Sequence, residues 1–187
     1  MQRKWSKVKK QLDGLICDSL KGRILFQVTN YRKAHDQMGR VFIQIDQKEI
    51  MSFCSIKTEM EIMERERQLR HIHSIEYDIE NKGENINIYE QAKKWANEEG
   101  FFEQSDFFDA LEEYFSVTIE QALSSTNPLV RMLAVIDRRM GKRTLLKLQD
   151  NMENEHPFVQ EMYKWRMEFN KILTQAKQEQ KGREGNR

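Results

Sequence analysis

Five cations crowd one stretch of this chain, at Arg131, Arg138, Arg139, Lys142 and Arg143. Such a cluster can neutralise phosphates or another polyanion, with an affinity that falls as salt displaces it. The spacing predicts that they sit on and just after a helix from Pro128 to Met140. Asn127 supplies a capping oxygen there, and proline takes the first helical position, where its missing N–H is harmless. Leu129, Met132, Leu133 and Ile136 form the core face of that helix. Basic groups near a helix C-terminus also complement its dipole, so internal pairing outweighs anion binding as the reading of the cluster. Asp137 is expected to pair with a neighbouring arginine rather than act as a base. Thr118–Ser124 followed by Pro128–Met140 has the length of a helix-turn-helix, but the turn lacks glycine and much of the second helix is apolar.

A second group, His35 and Asp36 beside Tyr31 and Arg32, contains the residue types of acid–base chemistry. Neighbouring side chains usually diverge, however, and no serine or cysteine nucleophile is placed near them. A turn through Asp36 and Gly39 explains the same residues. These four are weak polar-site candidates, and no catalytic residue is assigned. Cys17, Cys54, His71 and His73 match no zinc spacing. On a helix the rings of His71 and His73 point about 200° apart. No glycine-rich phosphate loop occurs. Neither a metal nor a cofactor is expected. Cys17 reads as a small buried hydrophobe.

These residues need elements to carry them, and the apolar periodicity supplies an α+β plan. Trp5, Val8 and Leu12 make one stripe of a basic N-terminal helix that stops near Gly14. Ile24–Thr29, Arg40–Ile45 and Glu49–Cys54 alternate as strands, and the last two form a hairpin around Asp46-Gln47-Lys48. A three-stranded antiparallel meander is the simplest arrangement, and helices must cover its apolar face. The remainder is mostly helical, about six helices. Thr58-x-x-Glu61 offers a capping box for a helix with Ile56, Met60 and Met63 on its apolar side. Asn81–Asn85 has the composition of a loop, with Asn87 as the cap of the next helix, which ends at Gly100. Ser105 opens an aromatic helix to Phe115, and Thr118 opens a short one through a capping box. A helix from Lys142 to about Met152 follows, then one from Pro157 to about Gln178. Residues 1–80 and 81–187 are taken as two regions of one compact unit. The aromatic set Phe101, Phe102, Phe107, Phe108, Tyr114 and Phe115 reads as core.

Charge is uneven: residues 1–55 carry a net +6, 56–125 a net −10 and 126–187 a net +5. Mutual attraction of these blocks on folding accounts for the layout as well as nucleic-acid binding does. No apolar run approaches the roughly 20 residues that a membrane span needs. The basic N-terminus lacks the apolar core of a secretory signal. Two widely spaced cysteines then read as reduced thiols in the cytoplasm.

Several phrases are specific: Cys17-Asp18-Ser19-Leu20-Lys21-Gly22-Arg23, Tyr31 through Arg40, Asp106-Phe107-Phe108-Asp109-Ala110-Leu111, and Leu133 through Leu145. In these the chain resembles a family of small uncharacterised bacterial cytoplasmic proteins. The resemblance implies a compartment and carries no activity, cofactor or catalytic residue. The reading that fits the residues best is a non-enzymatic protein-interaction protein, with a protein partner or self-association. Nucleic-acid or polyanion binding through the basic helical surface is the alternative, and an enzyme of unknown class is the lesser one. No membrane association is expected.

Overall fold

The computed structural model describes residues 4–30 and 38–184, with side chains described as far as Lys171. The fold is α+β. Helix α1 (Trp5–Leu15) precedes strands β1 (Ile24–Asn30), β2 (Gly39–Ile45) and β3 (Lys48–Cys54), and helices follow: α2 (Ser55–His73), α3 (Lys82–Glu98), α4 (Gln104–Ser116), α5 (Ile119–Leu123), α6 (Pro128–Val135) and α7 (Lys142–Leu148). A 3-10 helix (Gln149–Asn154) and α8 (Pro157–Glu184) complete it. The sheet is an antiparallel meander in the order β1-β2-β3. The chain divides into two compact units. The first is drawn from Met1–Leu25, Ile45–Gln47 and Ala110–Arg187, the second from Phe26–Gln44 and Lys48–Asp109.

In the first unit, Val8 and Leu12 bury the stripe of α1, which ends at Leu15, one residue past Gly14. The β2–β3 hairpin turns on two residues, Asp46 and Gln47, both at positive φ (49° and 68°). That geometry suits a two-residue turn whose twist matches its strands, and aspartate tolerates it better than most residues. Arg23 holds the turn in place. Its Nε donates to Asp46 Oδ1 at 2.8 Å, a second guanidinium nitrogen bonds Oδ2, and the Asp46 amide donates to the Arg23 carbonyl at 3.0 Å. The Arg23 guanidinium also lies 3.6 Å from the centroid of the Phe169 ring. Helix α6 is buried almost throughout and packs on α8.

The second unit has two apolar centres. Phe26 and Phe53 stack on Phe107, with centroids 6.2 and 5.0 Å away, and Phe102 meets Phe53 edge-on. Here a helix of the aromatic set covers the apolar face of the strands, as a three-stranded sheet requires. The other centre is Ile62 of α2 against Ala92 and Ala96 of α3, with Leu69, Tyr89 and Phe101 around it.

Three helix starts and three helix ends differ from the sequence expectation. Strand β3 runs directly into α2 at Ser55, so Thr58 is not a cap. Its hydroxyl is buried and donates to the Phe102 carbonyl at 2.8 Å, a tertiary bond that displaces the local one. Helix α3 begins at Lys82, capped by Asn81, whose Oδ1 accepts from the Glu84 amide at 3.3 Å. Asn81-x-x-Glu84 is itself a capping pair, and it absorbs the segment that composition marks as a loop. Helix α4 takes in Gln104 ahead of Ser105. Helix α6 ends at Val135, α7 gives way to the 3-10 turn after Leu148, and α8 continues to Glu184. Two caps match expectation. Thr118 and Gln121 exchange hydrogen bonds at 3.3 and 2.9 Å, and Asn127 Oδ1 accepts from the Leu129 amide at 2.9 Å.

The aromatic contacts set a scale for stability. Phe107→Ala should cost about 3–5 kcal/mol by removing a fully buried ring, whereas Met60→Ala on exposed α2 should stay within about 0.5 kcal/mol of wild type. Urea unfolding of the two variants checks the contrast, and equal costs would contradict this packing.

Candidate functional site

The basic segment is built around the end of α6. Helix C-termini leave carbonyls without intrahelical donors, and here they end in the core of the first unit. The chain leaves the helix at Ile136 and pairs Asp137 with Ile16 in an antiparallel bridge. The Cys17 amide donates to the Ile136 carbonyl at 2.9 Å, and the Arg138 amide to the Leu15 carbonyl at 2.7 Å. Arg166 of α8, only 4% exposed, reaches beneath this turn. Its guanidinium donates to the carbonyls of Val135, Asp137 and Met140, the last two at 2.7 Å. Burial pushes the Arg166 pKa down, yet a guanidinium stays charged, and three carbonyl dipoles surround it. Its Nε has no hydrogen-bond partner among the described residues.

The Asp137 side chain is fully buried. The Arg139 amide donates to Oδ1 at 2.7 Å, the Arg139 guanidinium to Oδ2 at 2.9 and 2.6 Å, and the Tyr114 hydroxyl to the same oxygen. Burial alone would raise the Asp137 pKa. The hydrogen bonds from Arg139 and Tyr114 outweigh it and hold the carboxyl below the ordinary aspartate value. Burial, followed by the Asp137 hydrogen bond, pushes the Tyr114 phenol up. A carboxylate so fully engaged is a structural anion rather than a base. It pairs with a neighbouring arginine, as its sequence position suggests.

Two of the five clustered cations are therefore engaged internally. Arg139 holds Asp137, while Arg131 donates to Glu155 Oε2 at 3.0 Å and to the Ser125 carbonyl at 2.6 Å. Arg138, Lys142 and Arg143 are exposed, with no ion-pair partner among the described residues. Tyr31, Arg32, His35 and Asp36 lie outside the described residues. Cys17 is buried, with Sγ 3.3 Å from Ser19 Oγ, and neither cysteine is in a disulfide. His71 and His73 are exposed at the end of α2. Among the described residues no group of three His, Cys, Asp or Glu side chains could hold a metal ion, and no helix is long and apolar enough to cross a membrane.

The surface that sequence reasoning misplaced is on α2. Ile56, Met60 and Met63, read as its core face, are 40%, 65% and 52% exposed, and the opposite face, with Thr58 and Ile62, is buried. Both faces carry apolar residues at helical spacing, and the small side chains of Ala92 and Ala96 accept Ile62. Exposed large apolar side chains concentrate in this region: of the nine among the described residues, Ile56, Met60, Met63, Ile72, Tyr77, Ile79 and Ile86 fall between positions 56 and 86. Arg166 also escaped the sequence reading, although a signal exists: it interrupts the apolar stripe of α8, four residues after Met162 and three before Phe169.

A family model, that of the SF0329 protein family, matches residues 4–167. The chain belongs to the SF0329 protein family. That match takes in α1, the sheet, the Asp137 turn and Arg166, so the whole buried cluster lies within the family's span. Neither a curated protein nor a solved structure matches the chain.

Replacement of Asp137 tests the buried cluster. Asp137→Asn should lower stability by about 2 kcal/mol at neutral pH, since it weakens charge-assisted bonds to a buried carboxylate. A depressed native pKa stabilises the fold above the unfolded value of about 3.9 and loses that contribution as pH falls through the native value. Urea midpoints from neutral to acid pH should therefore show the gap between wild type and variant closing below about pH 4. A gap that stays constant into acid would contradict the assignment.

Proposed function

We propose that this chain is a bacterial, cytoplasmic, non-enzymatic protein-interaction protein whose contact surface is the exposed face of α2. One observation carries the reading: Ile56, Met60 and Met63, three of the nine exposed large apolar side chains among the described residues, lie together on one face of α2. Scattered apolar residues on a surface are ordinary, whereas a concentration of them marks an interaction site. Methionine suits such a surface because its unbranched thioether adapts to different shapes. The engagement of the buried Asp137 and Tyr114 with each other and with Arg139 supports a non-catalytic role for these two groups. A photo-crosslinking residue at position 60 or 63, introduced in cells that make the protein, should give protein adducts of defined mass. The same residue at Lys147, exposed in the other unit, should not. No adduct at 60 and 63, or equal adducts at 147, would remove the reading.

A second reading is polyanion binding through Arg138, Lys142 and Arg143. Their exposure without ion-pair partners among the described residues favours it. Fluorescence anisotropy with labelled duplex DNA should then show affinity falling with salt, with a log–log slope of about −0.9 per phosphate neutralised, and a shallower slope in the triple alanine variant. No binding at low salt would exclude it.

A further inference from the structure

The exposed stripe of α2 has a charged border that narrows what can cover it. Ile56, Met60 and Met63 follow one another at four and three residues, the spacing at which a second helix inserts its own apolar side chains. Along one edge stand Glu59 and Glu66, two turns apart and so on the same side of the helix. The other carboxylates of α2 have cations: Glu61 pairs with Arg65 at 3.3 Å, and Glu64 with Arg67 at 2.9 Å. Arg70, the next cation along that edge, turns away to Asn85 at 2.8 Å. Glu59 and Glu66 have no ion pair among the described residues. Both carboxylates act through their charge on Tyr89 of α3. Its phenol is pushed up by burial and then by the charges of Glu59, Glu103 and Glu66 against the opposing Lys93.

We propose that the Ile56–Met60–Met63 stripe receives an amphipathic helix of a partner protein that carries lysine or arginine along the border of its apolar face. This rests on the protein-binding reading above and adds the chemistry of the partner. Apolar burial supplies affinity without direction, and the two uncompensated carboxylates select the sign of the partner's border. A second copy of α2 fits poorly. Parallel pairing along this stripe brings Glu59 to Glu64 of the second copy, and antiparallel pairing brings Glu59 to Glu66, with only Lys57 against Glu64 to offset it. Like charges on the Glu59 edge oppose association in both arrangements.

The test uses the full chain and two fluorescein-labelled peptides of about three heptads, both with leucine at a and d. One has lysine at the bordering e and g positions and the other glutamate. The lysine-bordered peptide should bind about tenfold or more tightly than the glutamate-bordered one, a difference of about 1.4 kcal/mol. Met60→Ser with Met63→Ser should abolish binding of both, and Glu59→Gln with Glu66→Gln should erase the preference. All four positions are at least partly exposed, and unchanged circular dichroism verifies folding of each variant. Equal affinity for the two peptides, no binding of the lysine peptide, or a preference intact in the Glu59→Gln, Glu66→Gln variant would overturn the basic partner. If crosslinks at 60 and 63 persist in that case, the protein-binding reading stands without it. A dimer by light scattering that dissociates in the Met60→Ser, Met63→Ser variant would assign the stripe to a second copy and overturn the inference.

Discussion

The first unit depends on how the carbonyls at the end of α6 find donors. A helix that ends inside a core leaves strong acceptors away from water, and each unsatisfied one is costly. Arg166 meets that requirement with one side chain, donating to Val135, Asp137 and Met140 together. The fork of a guanidinium suits this task, because its donors are fixed in a plane. Once those carbonyls are held, the chain can turn sharply enough for Asp137 to bridge to Ile16 and for the Arg138 amide to reach Leu15. The short α6, the docking of residues 15–17 and the burial of α8 are consequences of one arrangement.

The same arrangement takes up part of the positive charge of this stretch. Arg139 folds back on Asp137, Arg131 reaches Glu155, and Arg166 enters the core, so three guanidinium groups are engaged before any partner arrives. The charge layout of the chain suggests attraction between its cationic ends and its acidic middle. The lysine and arginine ion pairs among the described residues instead join partners within one block, as in Arg23–Asp46, Arg65–Glu99 and Lys93–Glu103. Local compensation of this kind leaves the acidic middle with carboxylates to spare, and Glu59 and Glu66 are two of them.

Much of the fold was legible because the signals were local. The alternation in Ile24–Thr29, Arg40–Ile45 and Glu49–Cys54 specifies strands, and the polar turn specifies a hairpin. Thr118-x-x-Gln121 and Asn127-Pro128 specify helix starts through bonds spanning three residues or fewer. Thr58-x-x-Glu61 has the same form as the first of these and misleads, because the Phe102 carbonyl competes for its hydroxyl from 44 residues away. The segment 81–85 misleads in the opposite sense: its loop composition hides a cap, Asn81 with Glu84.

By itself, then, the sequence determined the order and type of the elements, the strand pairing and the aromatic core, since each follows from backbone propensity and from apolar side chains at a fixed period. Only tertiary structure decided which face of α2 is buried. That helix has apolar residues on two sides, and the choice belongs to the surface it meets, the alanines of α3. Tertiary structure likewise decided that α6 stops at Val135, five residues before the sequence gives a reason to stop. The donor that ends it comes from Arg166, which lies far along the chain and becomes a neighbour only once the fold has formed.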